Sequence, residues 1–63
     1  MYKEYNSSRG IFLFDPDNGK GVIGVPNGEI KFHMKNGQIV ITQGFGPRDE
    51  MFVREYLYEA KIL

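Results

Sequence analysis

The sequence predicts an all-β fold, a small five-stranded barrel, and three observations carry that expectation. Turn-forming clusters recur about every ten residues, at Asp15-Pro16-Asp17-Asn18-Gly19, Pro26-Asn27-Gly28, Lys35-Asn36-Gly37-Gln38 and Gly44-Phe45-Gly46-Pro47, a spacing that suits short antiparallel strands. Asn-Gly occurs twice among them, at Asn27-Gly28 and Asn36-Gly37, and both residue types tolerate the positive φ angles of a type I′ hairpin turn. Between those two turns Ile30, Phe32 and Met34 alternate with Glu29, Lys31, His33 and Lys35. That is the period of a strand with one buried and one wet face.

In chain order, residues 1–8 place Tyr2 and Tyr5 among polar neighbours and are expected to form a loosely held arm, with one barrel domain over residues 9–63. Strands are expected at 9–15 (Ile11 to Phe14), 20–26 (Val22, Ile23, Val25), 29–35 and 38–43 (Ile39 to Thr42). Gly19, Gly21 and Gly24 lack the strand-turn-helix setting of a phosphate loop. Inside a β segment they indicate bulges or close backbone approach.

Residues 49–63 carry two periods. As a strand, Tyr56, Tyr58, Ala60 and Ile62 alternate with Glu55, Glu59 and Lys61, and only Leu57 breaks the pattern. As a helix, Phe52, Val53, Tyr56, Leu57, Ala60 and Leu63 share a face, Asp49 is placed to cap, and Glu50 stands four residues before Arg54. The strand is the preferred reading, because tyrosine favours strands and a fifth strand would close a barrel and remove its edges. The helix is its alternative.

A chain of 63 residues makes one domain and buries only about 60% of its unfolded surface. Without cysteine it has no disulfide and no four-cysteine zinc site, so the core or an oligomer must stabilise it. No apolar run approaches the ~18 residues of a membrane span, and no charged-then-apolar leader is seen. The expectation is a soluble cytoplasmic protein with no membrane partner. Eight basic residues balance eight acidic ones, whereas dedicated nucleic-acid binders usually show a basic surplus.

No catalytic constellation is complete, so no enzyme, cofactor or metal is expected. His33 is the only histidine, and both metal sites and nucleophile-base pairs need further partners. Asp15 and Asp17 suggest a calcium loop only superficially, because DPDNGKG lacks the later ligand positions and the closing glutamate. Turn chemistry accounts for both.

The run Phe14-Asp15-Pro16-Asp17-Asn18-Gly19-Lys20-Gly21-Val22-Ile23 resembles the first nucleic-acid motif of cold-shock domains, F-N-x-x-K-G-F-G-F-I. Ile30-Lys31-Phe32-His33-Met34 is similar to their second motif, V-F-V-H-F, and Gly37-Gln38-Ile39-Val40 and Gly46-Pro47-Arg48 are similar to G-Q-x-V and G-P-R. The resemblance covers residues 9–48 in order. It implies an oligonucleotide/oligosaccharide-binding (OB) barrel whose sheet face holds single-stranded RNA or DNA.

Several residues depart from the pattern. The family has a tryptophan where Leu13 stands, phenylalanines at the positions of Lys20, Val22 and Lys31, and another at Met34; Phe14 and His33 remain. Each stacked base contributes roughly 1–3 kcal/mol, so losing even three of these five platforms costs at least about 3 kcal/mol, or about a hundredfold in affinity. Lys20, Lys31, Lys35 and His33 could replace part of this with a phosphate-pairing stripe, giving weak, salt-sensitive binding with little base preference. The expected nucleic-acid site is therefore Phe12, Phe14, Lys20, Lys31, His33, Lys35 and Arg48.

Asn36-Gly37 joins Met34 to Ile39 as a tight hairpin, where cold-shock domains have a long loop. Direct pairing of those strands suits an alternative fold, a Src-homology-3-like or Sm-like meander barrel with a C-terminal helix. The alternative function is a protein-interaction or self-assembly module. Its basis is the apolar load of Met51, Phe52, Val53, Tyr56, Leu57, Tyr58, Ile62 and Leu63.

Overall fold

The computed structural model describes residues 1–63. Five strands, β1 (Lys3–Ser7), β2 (Gly10–Asp15), β3 (Lys20–Val25), β4 (Gly28–Lys35) and β5 (Gln38–Gln43), precede one helix, α1 (Asp49–Glu59). The strands form a single antiparallel sheet in the order β1-β2-β3-β4-β5, each paired with its neighbour in sequence. The fold is thus mostly β, a five-stranded meander with a C-terminal helix.

Each hairpin has its own local cause. Asn36 (φ 53°) and Gly37 (φ 77°) both take positive φ between the paired Lys35 and Gln38, the turn that Asn-Gly predicts. The other Asn-Gly behaves differently. Val25 pairs with Gly28 across Pro26 and Asn27, neither of which has positive φ; Gly28 (φ 145°) lies after the bend. Proline presets the bend and moves it one residue earlier than Asn-Gly alone would. Between β2 and β3, the Asp15 carboxylate accepts the Asp17 N–H (2.9 Å), the Asn18 side chain accepts the Lys20 N–H (3.0 Å), and the Gly19 N–H closes the loop onto the Asp15 carbonyl (2.7 Å).

Residues 3–7, expected as a loose arm, pair with β2 from Lys3↔Phe14 to Ser7↔Gly10. The turn Ser8-Arg9 is held by Ser7 Oγ, which accepts the Arg9 N–H (3.1 Å) and donates to the Gly10 carbonyl (3.0 Å). Serine hydroxyls here replace the Asn-Gly chemistry of the other hairpins.

The preferred strand reading of 49–63 is corrected, since Asp49–Glu59 is helical. Val53, Tyr56 and Leu57 on one helical face pack with Phe12, Phe14, Ile23, Ile30, Phe32 and Ile39 of the sheet in a single core. The closed barrel is corrected with it. The sheet stays open, with β1 and β5 as its edges. Laying the apolar face of α1 over the inner face of the sheet buries both, which barrel closure would otherwise have done for the sheet.

Both ends of α1 are tied down. Asp49 is buried, and its Oδ2 accepts the N–H groups of Phe45 (2.6 Å) and Gly46 (2.9 Å), fixing the loop from β5. At the other end the Ile62 N–H reaches the Leu57 carbonyl (2.9 Å) and the Lys61 N–H the Tyr58 carbonyl (3.0 Å), with Lys61 at φ 62°. This is a Schellman cap with lysine in the place glycine usually fills. Ser8 and Arg9 reach across to Glu59 and Glu55 and fasten the β1–β2 turn to the last turns of α1.

Candidate functional site

The two faces of the sheet differ in kind. Register places Tyr5, Phe12, Phe14, Gly21, Ile23, Ile30, Phe32, Ile39 and Ile41 on the face under α1. The opposite face carries the cross-strand row Leu13–Val22–Lys31 and, beside it, the row Asp15–Lys20–His33–Val40. Over that outer face lies an open cleft of about 660 Å³ lined by Leu13, Lys20, Val22, Lys31 and His33, with Tyr2, Glu29 and Thr42 at its margins.

The expected site residues divide sharply between these faces. Lys20, Lys31 and His33 come together in the cleft. Lys35 has the same strand parity as Lys31 and His33 and is exposed, but does not line the cleft. Phe12 and Phe14 are only 2% and 5% exposed, in the core beneath the helix. As stacking residues they are corrected: Phe12 packs edge-on to Tyr56 (5.6 Å) and Phe14 stacks on Phe32 (6.1 Å). Arg48 is also displaced. It precedes the first turn of α1 and lines a separate cavity of about 340 Å³ with Val25, Pro26, Phe45 and Phe52.

His33 is anchored by its ring. Its Nε2 lies 2.9 Å from the Asn18 carbonyl, and since a carbonyl only accepts, Nε2 carries a proton. That bond joins β4 to the β2–β3 turn. The Met34 N–H to Gly19 carbonyl bond (2.7 Å) reinforces the same junction and fixes the position of Lys20 at the start of β3.

Tyr2, Leu13, Val22, Glu29 and Thr42 were not expected in the site. Leu13 and Val22 carried a usable signal, because Leu13, Lys20, Val22 and Lys31 are four of the positions at which the cold-shock pattern has aromatic residues, and all four lie on the outer face. The other positions do not follow them: Met34 packs against the core and Phe14 lies in it. Tyr2 is 47% exposed at the cleft, whereas Phe32, which also lines it, is buried.

The apolar load of 51–63 largely completes the core. Val53, Tyr56 and Leu57 are buried and Phe52 and Ile62 partly so, leaving Met51, Tyr58 and Leu63 exposed. No three histidine, cysteine, aspartate or glutamate side chains converge as metal ligands. No helix is long and apolar enough to cross a membrane. Comparison with known protein families, with curated proteins and with solved structures gives no match for this chain.

Proposed function

We propose that this chain is a binding domain, not an enzyme, whose outer sheet face takes single-stranded RNA or DNA weakly and mainly through charge. The observation that carries this reading is the convergence of Lys20, Lys31 and His33 on one open cleft floored by Leu13 and Val22. Lys20 pairs across the strands with His33 and Val22 with Lys31, so the two lysines are diagonal neighbours, about 7–8 Å apart or somewhat less at Cβ. That spacing is compatible with successive phosphates of an extended strand. Leu13, Val22 and the Tyr2 ring offer an apolar floor that bases of any identity can lie against.

This reading keeps only the part of the cold-shock-like binding face that carries Leu13, Lys20, Val22, Lys31 and His33, without the closed barrel, and it assigns no role to Phe12, Phe14 or Arg48. Lys35 extends the positive stripe beyond the cleft. A protein partner is the rival reading, and its surface is small, because only Met51, Tyr58 and Leu63 of the C-terminal apolar residues are exposed.

Amide shift mapping with short oligo(dT) and oligo(rU) at low salt tests the proposal. Shifts are expected at Leu13, Lys20, Val22, Lys31 and His33, fading as salt rises. Unmoved signals along β2, β3 and β4 at low salt would rule the proposal out.

A further inference from the structure

We infer that β5 is a pairing edge for a second copy of this chain, joining two sheets across a two-fold axis at Val40. The inference is independent of the proposed nucleic-acid site. It starts from the open sheet, which leaves β1 and β5 each with one unpaired side.

The two edges are not equivalent. β1 reads KEYNS and carries Lys3 and Glu4, charges of the kind that discourage edge-to-edge association. β5 reads QIVITQ, with no charge, proline or glycine, so it lacks those safeguards. Its one irregularity is the bulge opposite Lys31 and Phe32, where Thr42 is passed over, and residues 38–41 remain regular.

Hydrogen-bond alternation shows which groups the edge offers. A two-residue hairpin loop joins Lys35 and Gln38, and such a closing pair exchanges its N–H···O bonds. The same then holds for His33 and Val40. The N–H and C=O groups of Ile39 and Ile41 therefore point away from β4 toward the open edge. If Val40 faces Val40 of the partner subunit, Ile39 falls opposite the partner's Ile41 as a hydrogen-bonded pair, and the symmetry repeats it. This register also keeps core-facing and outward-facing residues on their own sides of the joined sheet.

A small cavity flanks the edge, lined by Gln38, Ile39, Glu50 and Arg54; Glu50 and Arg54 pair with each other across one helical turn (3.2 Å), so neither stands as an unpaired charge against a second copy. Val40, 47% exposed, supplies the apolar contact at the axis.

Sedimentation velocity on the full chain from micromolar to millimolar concentration is the test, with amide hydrogen exchange measured over the same range. The expected result is a concentration-dependent monomer–dimer equilibrium, with exchange at Ile39 and Ile41 slowing as the dimer fills and exchange at Val40 unchanged. Val40→Lys, which sets like charges face to face at the axis, should weaken association by at least about tenfold, whereas Glu4→Lys on the other edge should leave it unchanged. A monomer at every concentration, exchange at Ile39 and Ile41 that ignores concentration, or a dimer that survives Val40→Lys would each overturn the inference. If Val40→Lys does not fold, the wild-type exchange data decide the matter alone.

Discussion

The tip of the Phe32 ring occupies the space in which a side chain on Gly21 would begin: its Cζ and both Cε atoms are the nearest neighbours of a Cβ built at residue 21. Gly21 and Phe32 are register partners on β3 and β4, and the Phe32 ring also stacks on Phe14 from β2. This glycine is required by packing, not by backbone conformation. Gly21→Ala should therefore overpack the core and destabilise the fold by about 1–3 kcal/mol, read as a lower urea midpoint with an unchanged m-value. An unaltered midpoint would show that the ring moves aside without cost.

Asp49 anchors the loop that leads from the sheet into the helix. Asp49→Ala leaves the N–H groups of Phe45 and Gly46 without their acceptor, and a loss of about 1–3 kcal/mol is expected. Asp49→Asn keeps an acceptor oxygen and should lose less. Equal losses for the two variants, measured by denaturant unfolding, would mean that the carboxylate acts by packing alone.

Lys61 holds a positive φ that L-residues other than asparagine and aspartate adopt reluctantly. Lys61→Gly should stabilise the protein by about 0.5–1 kcal/mol, seen as a raised melting temperature. A decrease would indicate that the lysine side chain contributes more than the backbone strain removes.

Much of the fold was legible because turn chemistry is local. Asn36-Gly37 set the β4–β5 hairpin and its register, and the alternation along 29–35 identified β4 as a strand with one buried and one wet face. The C-terminal segment was ambiguous because its apolar residues satisfy a period of 2 and one of 3.6 together, and tyrosine propensity pointed the wrong way. What decided it was tertiary: an open sheet needs a cover, and Val53, Tyr56 and Leu57 supply it. β1 was hidden because Lys3, Glu4 and Asn6 show little apolar alternation, while its partner contacts come from Tyr5 against Phe12 (5.6 Å). The candidate site was half legible. In β2 Ile11, Phe12, Leu13 and Phe14 are all apolar, so alternation alone cannot say which pair faces the core; only the register with β3 separates Leu13 from the two phenylalanines.

The β1 anchor should respond to pH in a defined way. The Met1 amino group bonds Asp15 Oδ2 at 2.8 Å. This hydrogen bond first, then the Asp17 and Asn18 backbone N–H groups, holds the Asp15 carboxyl below its usual 3.8, and the same bond holds the amino group above its usual 8.0. Asp15 therefore contributes stability that is complete above its unfolded pKa and is lost as pH falls through the lower folded value. The amino group contributes stability that is complete below its unfolded pKa and is lost as pH rises through the higher folded value. The attachment should be strongest between about pH 5 and pH 7. Acetylating the amino group should remove the alkaline loss and move the Asp15 titration, followed by side-chain carboxyl shifts, back toward its ordinary range. An Asp15 titration unchanged by acetylation would contradict the pairing.

The salt dependence of single-strand binding tests the charge-driven outer face most directly. With Lys20, Lys31 and Lys35 each pairing a phosphate, the logarithm of affinity for a short oligo(dT), followed by fluorescence anisotropy, should fall against the logarithm of salt concentration with a slope of about −2. Replacing Lys20 and Lys31 together by glutamine should reduce the slope to about −0.7 without altering the melting temperature. Binding that ignores salt, or a slope that survives the loss of both lysines, would contradict the assignment of this face.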